Sequence, residues 1–203
     1  MGTMRIKRIC VFCGSSPGAH KDYALAAEKL GRMLAEKNIG LVYGGGSVGL
    51  MGIIARAALK HGGEVTGVIP EALARRGVGL KELKNLKIVP SMHERKALMA
   101  KLSDAFIAMP GGIGTLEEFF EVLTWTQLGI HTKPCALFNV RNYYGHMTDF
   151  LDHAVKEDFV EKEHRDMVIV EDDPEKLLES IAAFKPPTKD KVKWALKASR
   201  RLE

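Results

Sequence analysis

The chain has 203 residues, 46% hydrophobic and 27% charged, an ordinary globular composition that excludes a disordered or fibrous protein. Three cysteines are too few for a disulfide framework. No apolar run approaches the roughly 18 residues of a membrane span, and MGTMRIKRIC lacks a signal-peptide core, so a cytoplasmic protein with reduced thiols and no membrane partner is expected. The net charge of +5 lies wholly in residues 185–203, which hold seven basic and two acidic side chains; residues 1–184 balance. Such a tail can touch nucleic acid. With Val192, Leu196 and Ser199 on one side, it reads instead as a solvated helix, and nucleic-acid binding is not expected.

In chain order, residues 7–13 read as a strand and 21–37 as an amphipathic helix anchored by Leu25, Leu30, Met33 and Leu34. Strand 39–43 leads through three glycines to helix 48–60, and strand 64–69 stops at Pro70. Residues 71–84, rich in glycine and charge, read as a long mobile loop or a poor helix. Strand 86–89, helix 92–102, strand 104–109, helix 115–128, strand 134–139, helix 145–157, a short strand 167–170 and helix 174–183 follow. Buried strands without alternation, separated by helices, predict an α/β fold: a doubly wound, mostly parallel sheet covered on both faces, Rossmann-like. One nucleotide-binding catalytic domain is expected over 1–184, followed by a helical basic tail over 185–203.

Ligands of such sheets bind beyond the carboxyl ends of the strands, where four loops gather: residues 13–16, 44–49, 91–96 and 110–118. Gly44, Gly46 and Gly49 satisfy G-x-G-x-x-G. Yet Glu64, spaced to grip a ribose, opens its strand instead of ending it, and the motif follows the second strand, so a dinucleotide site is disfavoured. The alternative is a tight turn with close helix–sheet packing. Pro110-Gly111-Gly112-Ile113-Gly114-Thr115 is a second glycine loop without the lysine of a Walker motif, and helix-start amides there suit a phosphate.

Glu118 lies about 6 Å beyond Gly114 along a helix and leans back toward that loop. It can face the ribose of a nucleotide whose phosphate rests on the loop, or close a capping box on Thr115; the pattern leaves both open. Ser91-Met92-His93-Glu94 is a second capping box. Arg95 and Lys96 then place cations in a first helical turn, costing about 0.3–1 kcal/mol each when exposed. An anionic ligand or a facing carboxylate would offset that; a solvated pair is the alternative. Cys10 and Cys13 have redox spacing, but three residues along a strand they face opposite sides, and no metal site is expected. None of the seven histidines forms an H-x-x-x-H pair.

Met92-His93-Glu94-Arg95-Lys96, the 110–118 run, Cys13-Gly14-Ser15-Ser16, Val42-Tyr43-Gly44-Gly45-Gly46 and Thr124-Trp125-Thr126-Gln127-Leu128-Gly129 together resemble the Lonely Guy family over about residues 5–183. Its members are cytokinin riboside 5′-monophosphate phosphoribohydrolases, sometimes labelled lysine decarboxylases. The resemblance implies hydrolysis of the N-glycosidic bond of a plain or N6-modified adenosine 5′-monophosphate, giving free base and ribose 5-phosphate, with no metal or organic cofactor. It implies Arg95 and Glu118 as the catalytic pair, Gly112, Gly114 and Thr115 as the phosphate loop, and Lys96 and Thr124 as substrate contacts. Gly14, Ser15, Gly45, Gly46, Gly111 and Glu117 complete the expected binding set. A homodimer is implied, which the apolar helix of Phe119, Val122 and Trp125 would suit, although Phe119-Phe120 also reads as core and Trp125, Leu128 and Met99 as core or interface anchors. Two competing readings are a nucleotide-binding module or cofactor carrier without hydrolysis, and a pyridoxal-phosphate decarboxylase using Lys96 or Lys101, which no pattern marks.

Overall fold

The computed structural model describes residues 6–186. Among the described residues seven strands form one parallel sheet: β1 (Arg8–Phe12), β2 (Gly40–Tyr43), β3 (Val65–Pro70), β4 (Asn85–Val89), β5 (Ala105–Ala108), β6 (Cys135–Phe138) and β7 (Val168–Glu171), in the order β4-β3-β2-β1-β5-β6-β7. In the register, Ile9 of β1 pairs with Leu41 on one side and Ala105 on the other. The helices are α1 (Lys21–Glu36), α2 (Gly49–Lys60), α3 (Glu71–Ala74), α4 (Met92–Leu102), α5 (Ile113–Gln127), α6 (Gly145–Lys156), α7 (Lys162–Asp166) and α8 (Pro174–Ala183).

The period-two geometry of β1 divides its side chains between two cores. Ile9, Val11 and Cys13 pack with Leu30 and Leu34 of α1, Leu50 and Ile54 of α2, and Leu177 and Ile181 of α8. Cys10 and Phe12 pack on the other face with Met99 of α4 and Phe119, Val122 and Leu123 of α5. Strands so covered read as near-continuous apolar runs, which is why they were legible. The two cysteines therefore face different cores, and both are buried free thiols.

Three expectations are corrected. Residues 71–84 hold one helical turn, α3, in keeping with a poor helix, but the rest is not a free loop: Leu80 and Leu83 are buried and the 78–80 backbone is bonded to the β2–α2 glycine loop. Helix α5 begins at Ile113 with Gly112 as its N-cap, two residues before the expected start at Thr115. Phe119 and Val122 are spent in this chain's own core and offer no surface to a second copy. The helix α7 was not anticipated, and most of the basic tail expected to be helical, residues 187–203, lies outside the described residues. Among the described residues no helix is long and apolar enough to cross a membrane.

Candidate active site

In the strand order, β1 stands between β2 and β5, so the connections leaving β1 and β5 run to opposite faces and open a crevice at the carboxyl edge. The two loops meet back to back there: the Gly14 N–H donates to the Pro110 carbonyl at 3.1 Å. A cavity of about 470 Å³ lies on the α4–α5 side, lined by Gly14, Ser15, Met51, Leu73, Met92, Arg95, the 112–115 turn, Glu117 and Glu118. A lobe of about 300 Å³ shares Gly14, Ser15 and Gly112 and is walled by Tyr23, Leu50, Gly111 and Tyr143.

The two glycine loops differ in what their amides do. In the β2–α2 loop, the Ser47 N–H donates to the Val78 carbonyl at 2.9 Å, the Leu50 N–H donates to the Gly14 carbonyl at 3.0 Å, and the Gly45 carbonyl accepts from Leu80 at 3.0 Å. Gly45 and Gly46 are thus held against residues 78–80, and neither lines the cavity. Gly44 is the member of that loop that touches the site. A Cβ on it would lie 2.1 Å from Arg95 Nη2, so only glycine lets the guanidinium lie across the strand end.

In the β5–α5 loop, Gly112 caps the helix with no side-chain partner, leaving the amides of Ile113, Gly114 and Thr115 as the unsatisfied donors of a first helical turn. A Cβ on Gly112 or Gly114 would meet nothing within 4 Å: the space above these amides is open. Donors aimed at open space, at the positive end of a 15-residue helix, suit a dianion.

One turn further on, Glu118 does not close a capping box. Arg95 Nη1 donates to Glu118 Oε1 at 2.5 Å, and both side chains are only 11% exposed. Arg95 Nε–H also donates to the Val68 carbonyl at 3.1 Å, which fixes the plane of the guanidinium. At the start of α4 Ser91 does cap: the Glu94 N–H donates to Ser91 Oγ at 3.2 Å, and the Ser91 hydroxyl in turn donates to the Glu94 carboxylate at 3.2 Å. Burial pushes the Glu118 carboxyl above its usual range, and the facing guanidinium opposes that shift. An ion left alone here would cost several kcal/mol, so the two charges hold one another in place.

Lys96, next on α4, donates to the Glu117 carboxylate and to Glu121 at 3.0 Å. The bond to Glu117 holds its ammonium above the ordinary lysine value in spite of desolvation. The two first-turn cations of α4 are therefore offset by facing carboxylates on α5. Thr124 is exposed on α5 about 9 Å beyond Glu118 along the axis and does not line the cavity. Gly14, Ser15, Arg95, Gly112, Gly114, Thr115, Glu117 and Glu118 are brought together around the cavity, while Gly111 lines the adjoining lobe. Met51 and Leu73 on the cavity wall, and Tyr143 beside it, carry no motif in the sequence, and Met92, also on the wall, entered only as part of the 92–96 motif and not as a site residue. Among the described residues no three His, Cys, Asp or Glu side chains gather as a metal site.

A family described as possible lysine decarboxylase matches residues 51–181. A probable cytokinin riboside 5′-monophosphate phosphoribohydrolase of Oryza sativa subsp. japonica is 50% identical over 182 residues, 90% of this chain and 73% of that protein. A cytokinin riboside 5′-monophosphate phosphoribohydrolase of Arabidopsis thaliana is 49% identical over 182 residues, 90% of this chain and 85% of its own length. The chain belongs to the Lonely Guy family. Among solved structures, the molybdenum cofactor binding protein of Rippkaea orientalis superposes with a TM-score of 0.66 at 23% identity, over 89% of this chain and 98% of that one. At that identity the likeness shows the fold alone. The Lonely Guy chain shares with it the Rossmann-like sheet whose switch point carries the cleft described above.

Proposed function

We propose that this protein hydrolyses the N-glycosidic bond of cytokinin riboside 5′-monophosphates, releasing the free base and ribose 5-phosphate. One observation carries the reading: a buried Arg95–Glu118 pair stands one helical turn beyond three open amides at a glycine-lined helix start. The 5′-phosphate rests on the amides of Ile113, Gly114 and Thr115. That seating turns the anomeric carbon toward Glu118.

As the bond from C1′ to the base nitrogen lengthens, positive charge develops on the sugar, and a fixed carboxylate beside it stabilises that charge more than it stabilises the ground state. Water then adds to C1′; its oxygen forms the new bond, and its proton passes, through Glu118 or solvent, to the departing base. Arg95 keeps Glu118 ionised against the push of burial and holds it in one rotamer. No cofactor enters the scheme. The Lys96–Glu117 pair supports the wall behind the carboxylate instead of spending the ammonium on the phosphate. The protein acts in the cytoplasm as a homodimer, for which the exposed Leu128 and Ile130 and the half-buried Trp125 remain available on one end of α5.

Chromatography of AMP and isopentenyl-AMP after incubation tests the reading, with the unphosphorylated ribosides as controls. Wild type is expected to release base from the monophosphates and at least about 100-fold less from the ribosides. Glu118→Gln keeps the amide within reach of Arg95 and is expected to lose turnover by about 10²–10³-fold while remaining folded. Tight nucleotide binding without any free base would instead establish a carrier.

A further inference from the structure

We propose that Tyr143 and Tyr144 are positioning residues that aim the glycine loop, by holding its carbonyls toward the protein so that its amides face the ligand. The inference rests on the phosphate being seated at residues 113–115. It adds what keeps that loop in the receptive orientation.

Four successive carbonyls of the loop are engaged. Met109 O accepts from Tyr144 Oη–H at 2.6 Å, Pro110 O from Gly14 N–H at 3.1 Å, Gly111 O from Tyr143 Oη–H at 2.6 Å, and Gly112 O from Leu116 N–H at 3.2 Å. A carbonyl swung into the cleft would oppose a phosphate with its negative end, and a loop with two adjacent glycines has the freedom to swing. Engaging each oxygen removes that freedom. The open amides at 113–115 follow directly on the last fixed carbonyl.

The segment that delivers the two phenols is built at a conformational cost. Arg141 and Asn142, in the turn after β6, both have left-handed backbones, with φ of 55° and 56°. Non-glycine residues rarely adopt that region, and two in succession persist only where the surroundings over-determine them. The ties are present: Asn139 Oδ1 accepts the Tyr144 N–H at 2.7 Å, Asn139 Nδ2 donates to Asn142 Oδ1 at 3.1 Å, and Arg141 Nη1 meets Asp22 Oδ2 of α1 at 2.8 Å. The outcome is two neighbouring rings edge-on at 5.0 Å, with hydroxyls on carbonyls two residues apart. Tyr144 is buried, and burial keeps its phenol protonated and donating. Tyr143 is 43% exposed, yet its hydroxyl is turned inward onto the loop.

Tyr143→Phe tests the assignment, because it removes one hydroxyl from a partly exposed ring and leaves the core alone. Ribose 5-phosphate binding to full-length protein is measured by calorimetry, with ribose as the arm lacking phosphate, alongside KM, kcat and melting temperature. The expected result is about 5–20-fold weaker ribose 5-phosphate binding and a KM for the nucleotide raised by a similar factor. The kcat should stay within about threefold, and the melting temperature within about 2 °C. Binding within twofold of wild type in Tyr143→Phe overturns the proposal, as does a fall in melting temperature with binding unchanged. Because the binding arm needs no turnover, a wild type that binds ribose 5-phosphate but releases no base sinks the hydrolase reading while leaving this assignment to stand or fall on the variant.

Discussion

At Gly111 an added Cβ would sit 2.2 Å from Thr115 Oγ1 and 2.9 Å from the Gly14 nitrogen, whereas at Gly114 it would meet nothing within 4 Å. The two glycines of one motif therefore serve different ends. Gly111 lets the β5 loop lie against the β1 loop. Gly114 leaves room for something absent from the chain itself. Gly111→Ala is expected to destabilise the fold by about 1–3 kcal/mol, as overpacking does, seen as a lowered denaturation midpoint. Gly114→Ala is expected to keep or slightly raise stability, since alanine loses less backbone entropy in a helix, by up to about 1 kcal/mol. It should weaken nucleotide monophosphate binding at least about tenfold, because its methyl would lie over the open amides. Unchanged affinity in Gly114→Ala would show that no ligand approaches that backbone. The sequence motif alone does not separate these glycines, and the family resemblance placed both in the binding set with Gly114 on the phosphate loop, since a motif states where a backbone can approach something but not whether the something is another strand or a substrate. Glu118 was ambiguous for a similar reason. Thr115-x-x-Glu118 fits a capping box, and the matter is decided by the earlier cap at Gly112 and by Arg95, 23 residues upstream of Glu118.

The helices α4 and α5 are joined by three ion pairs, Arg95 with Glu118 at the cleft and Lys96 with Glu117 and Glu121 beside it. The anomaly behind this was legible: cations in a first helical turn demand compensation. The partners were not, because they lie on another element and long-range pairing leaves no local trace. The α5 start was misread because the same Thr-x-x-Glu spacing arises inside a helix capped earlier by a glycine. Charge balance between the two helices should set the acid limb of the pH–rate profile. Glu118 works as a carboxylate, so activity falls as pH drops through its pKa, which burial has raised. Glu117 pushes that pKa further up, and Lys96 pulls it down. Lys96→Met should therefore move the acid limb of kcat/KM to higher pH. Glu117→Gln should move it lower, and the double variant should return toward wild type. The phosphate of the substrate also titrates near pH 6, but it is common to all four proteins and drops out of the differences. Coincident limbs in all four would remove Lys96 and Glu117 from the electrostatics of the site.

For the whole molecule, the alternation of buried strands and amphipathic helices was enough to foresee a parallel, doubly wound sheet, and with it a ligand edge. The ordering of residues 71–84 was not foreseeable, because it rests on backbone bonds from 78–80 to 45–47, which carry no side-chain pattern, and on the burial of two leucines, Leu80 and Leu83, too few to mark an element. The resulting architecture divides the site between loops from both halves of the sheet, after β1 on one side and β5 on the other, with Arg95 reached from α4 beside β3. A ligand spanning these loops binds only when both halves are folded, so it should stabilise the chain by linkage. At a hundred times its dissociation constant that stabilisation is about 2.7 kcal/mol, or about 5–10 °C in melting temperature for a domain of this size. AMP with Glu118→Gln, which prevents its consumption, and ribose 5-phosphate with wild type are expected to give shifts in that range. Adenosine and ribose at the same concentrations should give under about 2 °C. Because the amides of α5 recognise charge at an exposed helix start, where Ile113 is 88% exposed, raising the salt should reduce the AMP shift. An adenosine shift equal to that of AMP would mean that the base, not the phosphate, anchors the nucleotide, and the helix start would then lose its role.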